Sequence, residues 1–159
     1  MSRRDQIRMS PEEIALFLAE ERTLVCATQG PDGWPHLMPL WYVMRGQEPW
    51  AWTYATSQKA KNLERDARAS VQVEAGEQYH ELRGVLLKTR VELHRELEEV
   101  SALGTEILRR YGGGGAQDGG AAGPEFEEAV RQQARKRVAL RFVPRQTASW
   151  DHRKLGGTY

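Results

Sequence analysis

Along the chain the spacing of apolar side chains switches between a helical and an extended period, and each switch marks an element. Ser10, Pro11 and Glu13 form a capping box with proline at the first helical position, and Ile14, Leu16, Phe17 and Leu18 supply an apolar face. A helix is therefore predicted to about Glu21. From Arg22 the pattern turns strand-like: RTLVCAT, the turn QGPDG, WPHLMPLWYVM, the turn RGQE and PWAWTY read as three strands of an antiparallel meander. A short helical segment, KAKNLERDAR, precedes the strand ASVQVEA and the long run ELRGVLLKTRVELH. There Val85, Leu87, Val91 and Leu93 alternate with Gly84, Lys88, Arg90 and Glu92, which predicts one buried face, interrupted at Gly84 by a bend or a close neighbour. Leu97, Val100, Leu103, Ile107 and Leu108 predict a helix from about Glu96 to Tyr111. Residues 112–124, GGGGAQDGGAAGP, carry no packing side chains and read as a flexible loop. An amphipathic segment from Glu125, the strand RVALRFVP and the tail TASWDHRKLGGTY complete the chain. Six or more antiparallel strands with flanking helices, no βαβ rhythm and no repeat predict a mainly β (α+β) single domain over residues 1–159.

The strand WPHLMPLWYVM is apolar on both faces, with Trp34, Met38, Leu40 and Tyr42 on one and Leu37, Trp41 and Val43 on the other. Pro35 and Pro39 have no N–H to give a ladder, so the strand is predicted at a sheet edge or a bulge, its free rim open to a ligand or a second subunit. Trp34, Trp41, Trp50 and Trp52 crowd the same third of the chain, and tryptophan and tyrosine are common where a protein meets a ligand.

Charge removes some alternatives. With 23 Lys plus Arg against 22 Asp plus Glu the formal charge is +1, which gives no general field for nucleic acid. The lone Cys26 excludes a disulfide framework or a Cys-rich zinc site within one chain and fits a reducing, cytoplasmic home. No apolar signal core and no membrane-length apolar window are present, so neither export nor a membrane partner is expected. His36, His80, His94 and His152 are scattered without metal-ligand spacing, and no GxSxG elbow or Walker motif occurs.

The strongest local chemistry is the segment Thr56-Ser57-Gln58-Lys59-Ala60-Lys61-Asn62, where a strand gives way to a helix. Ser57 or Thr56 can cap the helix, whose first N–H groups favour an anion, and Lys59 and Asn62 share a face that could add a charge and a donor. An ordinary capped surface helix with solvated lysines is the plain alternative. The basic run from Arg131 to Arg137 either complements its own helix dipole or meets an anionic ligand tail, and Trp150 either plugs the core or a subunit contact or stacks on a planar ligand near Arg153 and Lys154.

The order of RTLVCAT, GWPHLMPLWYV, SQKAKNLERDARASVQVE and YHELRGVLL, over about residues 10 to 95, resembles the pyridoxamine 5'-phosphate oxidase-like split β-barrel superfamily, in its branch of flavin- and deazaflavin-dependent oxidoreductases. The resemblance implies a homodimer with the cofactor in a groove between subunits. Its ring system would lie against Met38, Pro39, Leu40 and Trp41, and its phosphate near Ser57, Lys59, Lys61 and Asn62. Thr53, Tyr54 and Thr56 would complete the wall, with Trp150 as a further contact and Arg83 as either a contact or a salt-bridged barrel residue. Relatives use FMN or coenzyme F420, whose anionic tail would suit the Arg131–Arg137 run or the Arg153-Lys154 pair; the lysine-bearing anion segment favours coenzyme F420 over FMN. The implied activity is hydride transfer to a flat unsaturated small molecule such as an enone, quinone or tetrapyrrole, with Tyr54, Tyr79 or His36 as possible proton donors. A non-catalytic cofactor- or haem-binding protein is the alternative.

Overall fold

The computed structural model describes residues 2–112 and 123–156; the flexible loop expected over residues 112–124 lies, but for its ends, outside the described residues. Seven strands, β1 (Leu24–Gln29), β2 (Pro35–Leu40), β3 (Val43–Arg45), β4 (Glu48–Tyr54), β5 (Arg68–Ala75), β6 (Arg83–His94) and β7 (Arg137–Asp151), form one antiparallel sheet in the order β2-β1-β5-β6-β7-β4-β3. The helices are α1 (Arg3–Gln6), α2 (Pro11–Glu20), α3 (Gln58–Arg65), α4 (Leu97–Tyr111) and α5 (Pro124–Ala134). The caps fall where the sequence sets them: Glu13 N–H donates to Ser10 Oγ and Ser10 N–H to the Glu13 carboxylate, and Ala60 N–H donates to Ser57 Oγ.

One expectation needs correction. The apolar stretch from Trp34 to Met44 is not a single strand; it breaks at Trp41 and Tyr42, and its halves are the two opposite edges of the sheet. The meander is thus two hairpins, β1–β2 and β3–β4, that do not pair with each other. The break has a large consequence. Two linking residues hold the Cα atoms of Leu40 and Val43 within roughly 11 Å, whereas edge strands of a flat seven-stranded sheet would stand roughly 29 Å apart. The sheet therefore has to curl on itself, giving the split barrel. The predicted edge position of the proline-bearing strand holds, because Pro35 and Pro39 lie on β2 with one rim unpaired.

Curling separates two cores. Leu24, Cys26, Val71, Val73, Val85, Leu87, Leu140 and Phe142 point into the barrel, where Phe17 and Leu18 of α2 and Ala60 and Leu63 of α3 join them. On the outside, Val100, Leu103 and Ile107 of α4 pack on Val43, Trp50 and Ala139. The strand period of two divides β7 between these cores, Val138 and Leu140 inward and Ala139 outward. β7 runs beyond the predicted RVALRFVP because a bulge lets it continue: Lys88 pairs with Gln146 but Thr89 with Pro144, leaving Arg145 over. At the far end Gly84 is opposite Trp150, and a Cβ there would fall 2.1 Å from Trp150 Cζ2; the close neighbour that required glycine is this indole.

The link itself is clamped from α4. Tyr42 is fully buried and its hydroxyl donates to Leu18 O at 2.6 Å. Its backbone N–H and C=O, which have no strand partner, meet the Tyr111 hydroxyl at 3.1 and 2.6 Å, and Arg110 donates to the same carbonyl at 2.9 Å. The Tyr111 ring stacks on Trp41 with centroids 4.7 Å apart and planes 12° from parallel, and the Arg22 guanidinium lies 4.7 Å from the same ring's centroid. Tyr111→Phe leaves the Tyr42 N–H without its acceptor. The expected loss is about 1–3 kcal/mol of unfolding free energy in urea denaturation; an unchanged midpoint and slope would show that the clamp contributes nothing.

Candidate functional site

The curled sheet does not close completely. β3 pairs with β4 only as far as Trp50, so the rim of β4 from Trp52 to Tyr54 faces the free rim of β2 with no strand between. A groove of about 470 Å³ occupies this seam. Pro39, Leu40 and Trp41 form one wall, Trp52, Thr53 and Tyr54 the other, with Thr23 and Arg137 completing it. Since the groove runs along strand rims rather than over a face, neighbouring residues of both parities reach it. Trp52 is held from behind by α4, where a Cβ on Gly104 would fall 2.4 Å from its ring. The Arg137 guanidinium lies 4.6 Å from the centroid of the Trp52 ring and 4.3 Å from that of Tyr54, positions suited to cation–π attraction, and donates to Gln133 O. The result is a flat apolar slot with a cation in its lining.

Five of the residues singled out in the sequence, Pro39, Leu40, Trp41, Thr53 and Tyr54, come together here. Met38 adjoins them on β2, 44% exposed. The anion segment is arranged differently from the expectation. Lys59 and Asn62 do share a helical face, but that face is turned into the protein: Lys59 is 6% exposed and Asn62 fully buried. Asn62 Nδ2 donates to Thr28 Oγ1 at 3.0 Å, and its Oδ1 accepts from Gln58 at 2.8 Å. Lys59 Nζ donates to Thr53 Oγ1 at 2.9 Å, and Thr53 Oγ1 donates to Ser57 Oγ at 3.3 Å, so a buried ammonium stands directly behind the groove wall. Thr56 and Lys61 are exposed, and Ser57 is half-buried in its capping role.

Other candidates lie elsewhere in the protomer. Trp150 rests on Gly84 at the opposite end of β7 from Arg137. Arg83 donates to Asp151 at 3.1 Å, the salt-bridged barrel outcome. Arg131 pairs with Glu98, Arg153 with Asp151 and Lys154 with Glu13, so these bases are already compensated. Of the three possible proton donors only Tyr54 lines the groove; His36 sits further along β2 and Tyr79 packs on the His152 ring. Trp52 was not singled out as a site residue, and Arg137 was singled out only as the end of the basic Arg131–Arg137 run. Trp52 is two positions from Tyr54 and legible by alternation, but Arg137 reaches the groove through its long-range pairing with Tyr54, which leaves no local signal. A second, larger hollow of about 870 Å³ contains none of the candidate residues.

Among known sequences, the pattern of the pyridoxamine 5'-phosphate oxidase family matches residues 10–151, and the chain belongs to this family of split barrels. A conserved hypothetical protein of Mycobacterium tuberculosis is 42% identical with a TM-score of 0.86, over 100% of this chain and 95% of that one. A protein described as an F420 reductase shares the fold at 18% identity and TM-score 0.66, over 87% of this chain and 98% of that one. A haem storage protein of Vibrio cholerae shares it at 19% identity and TM-score 0.65, over 91% and 95% of the two chains. A comparison with curated protein sequences gives no match.

The buried pair behind the groove titrates in opposite directions from ordinary values. Burial pushes the Cys26 thiol up to about 12, and burial lowers the pKa of Lys59. An amine with a lowered folded pKa binds fewer protons folded than unfolded, so its contribution to stability grows as pH rises from the folded value toward the unfolded one, near 10.5. Urea denaturation of the parent and Lys59→Met across this window should show the difference moving in the parent's favour with rising pH. A difference independent of pH contradicts a depressed lysine.

Proposed function

We propose that the protein is a cytoplasmic oxidoreductase that binds coenzyme F420 in the seam groove of a homodimer, with FMN as the alternative cofactor, and transfers a hydride to a flat unsaturated acceptor. The observation that carries the reading is the convergence of Pro39, Leu40, Trp41, Thr53 and Tyr54 on one slot between two unpaired strand rims. Its volume lies in the range of small-ligand sites, and its aromatic lining suits a planar ring system. The phosphate would meet Thr56, Ser57 and Lys61, which reach solvent. Lys59, behind the wall, positions Thr53 and adds positive potential without touching the ligand. Trp34, Leu37, Met38 and Trp41, 75, 56, 44 and 51% exposed, provide an apolar patch on and beside β2 for a second subunit.

When reduced and bound, the cofactor supplies the hydride; the chain supplies the surroundings. Pro39, Leu40 and Trp41 exclude water from one side of the slot, and Trp52, held against α4, fixes the other. Tyr54, with a hydroxyl at the groove and Arg137 over its ring, is the proton donor that geometry favours for the carbon receiving no hydride. No nucleophile is required of the protein. A non-catalytic cofactor carrier would use the same groove and is distinguished by turnover.

Fluorescence titration of the purified protein with coenzyme F420 and with FMN tests this directly. Coenzyme F420 is expected to bind more tightly, and Trp41→Ala and Arg137→Gln to weaken it roughly tenfold each through lost stacking and lost charge. Preference for FMN would reassign the cofactor. Binding of neither, or binding indifferent to both substitutions, would remove the seam groove from the function.

A further inference from the structure

The larger hollow lies at the other end of the β1–β2 hairpin, over the outer face of β5, β6 and β7. Arg68, Lys88, Arg90 and Arg145 line it, against the single carboxylate of Asp66. That carboxylate is already engaged: Arg68 grips it through Nε at 3.0 Å and Nη2 at 2.7 Å, and this pairing holds the Asp66 carboxyl down to about 2. The side chains of Lys88, Arg90 and Arg145 have no hydrogen-bond or ion-pair partner among the described residues. In a chain whose formal charge is only +1, three uncompensated cations thus share one concavity.

Backbone geometry makes this concentration costly. Arg68 and Arg90 are direct cross-strand partners, and Lys88 lies two residues from Arg90 on the same face. Like charges placed so repel, and nothing in the sheet requires them. The bulge adds the third: Arg145 is the residue left over where Lys88 pairs with Gln146 and Thr89 with Pro144, and a bulge re-aims the side chain it carries. Ser70, Gln29 and Gln146 add neutral donors to the lining.

We propose that this hollow binds a linear oligoanion, a short run of phosphates or carboxylates, held by Lys88, Arg90 and Arg145. The cations are spaced for a chain of charges rather than for one ion, since neighbouring strands lie roughly 5 Å apart and alternate residues of a strand roughly 7 Å. The site stands independently of the cofactor reading. Its occupant is either free or the anionic extension of a ligand whose ring lies in the seam groove. β2 borders both spaces, with Pro35 at the hollow and Pro39 at the groove, roughly 13 Å apart along the strand.

Calorimetric titration of the full chain with inorganic tripolyphosphate and with tetraglutamate, at low ionic strength, tests the site. The expected result is binding of at least one probe, weakened roughly tenfold or more by Lys88→Gln with Arg90→Gln and similarly by Arg145→Gln, and fading as salt rises. Arg109→Gln, an exposed base on α4 outside the hollow, should leave it unchanged. No binding by the parent, or equal weakening by Arg109→Gln and the hollow variants, overturns the proposal. Preloading with coenzyme F420 separates the sources: loss of probe binding assigns the hollow to the cofactor's own anionic tail, and simultaneous binding assigns it to a free oligoanion. If coenzyme F420 does not bind at all, the probe titrations still decide the hollow on their own.

Discussion

Everything distinctive about this barrel follows from a link two residues long. Trp41 and Tyr42 join the sheet's two edge strands, and a chain that short cannot bridge an open sheet, so the strands must curl until the edges nearly meet. The backbone groups of the link cannot be satisfied by a ladder, and an unpaired buried amide is expensive. Tyr111 and Arg110, at the end of α4, satisfy them instead. Arg110 also ties α4 to the end of α2, donating to Ala19 O and Glu21 O. The seam is thus both the place where the barrel fails to close and the place where three elements are pinned together.

The failure to close produces the site. Had β3 been longer it would have paired with the whole of β4 and covered the rim that now lines the groove. Because it stops opposite Trp50, the last residues of β4 present main-chain edge and aromatic side chains to the prolines of β2. Prolines on that facing rim cannot recruit a strand from another molecule, which leaves the space to a ligand. Burial of Lys59 behind Thr53 places positive charge in the same wall without exposing a flexible side chain to solvent.

Much of this was legible in the chain. The helix caps at Ser10 and Ser57, the alternation of β6 and the edge character of the Pro35–Pro39 strand are local signals, and they survive folding because each is a property of a few adjacent residues. Non-local facts were not legible. The Trp34–Met44 stretch contains no glycine, asparagine, aspartate or serine to announce that it breaks at Trp41, because the break is stabilised by Tyr111, about seventy residues on. The inward turn of Lys59 is hidden for a related reason: a lysine at a helix start reads as solvated until the barrel behind it is known, and among the described residues its ammonium donates to Thr53 alone. Arg137 and the Lys88, Arg90 and Arg145 group reach their places through strand register and a bulge, which no spacing rule within one segment encodes.

Hydrogen–deuterium exchange of the protein with and without saturating coenzyme F420 bears most directly on the central claim, that the seam between the edge strands is where the ligand lies. The account predicts added protection in peptides covering Pro39–Trp41 and Trp52–Tyr54, the two unpaired rims. Protection confined to other strands, with the seam peptides unchanged, would contradict it.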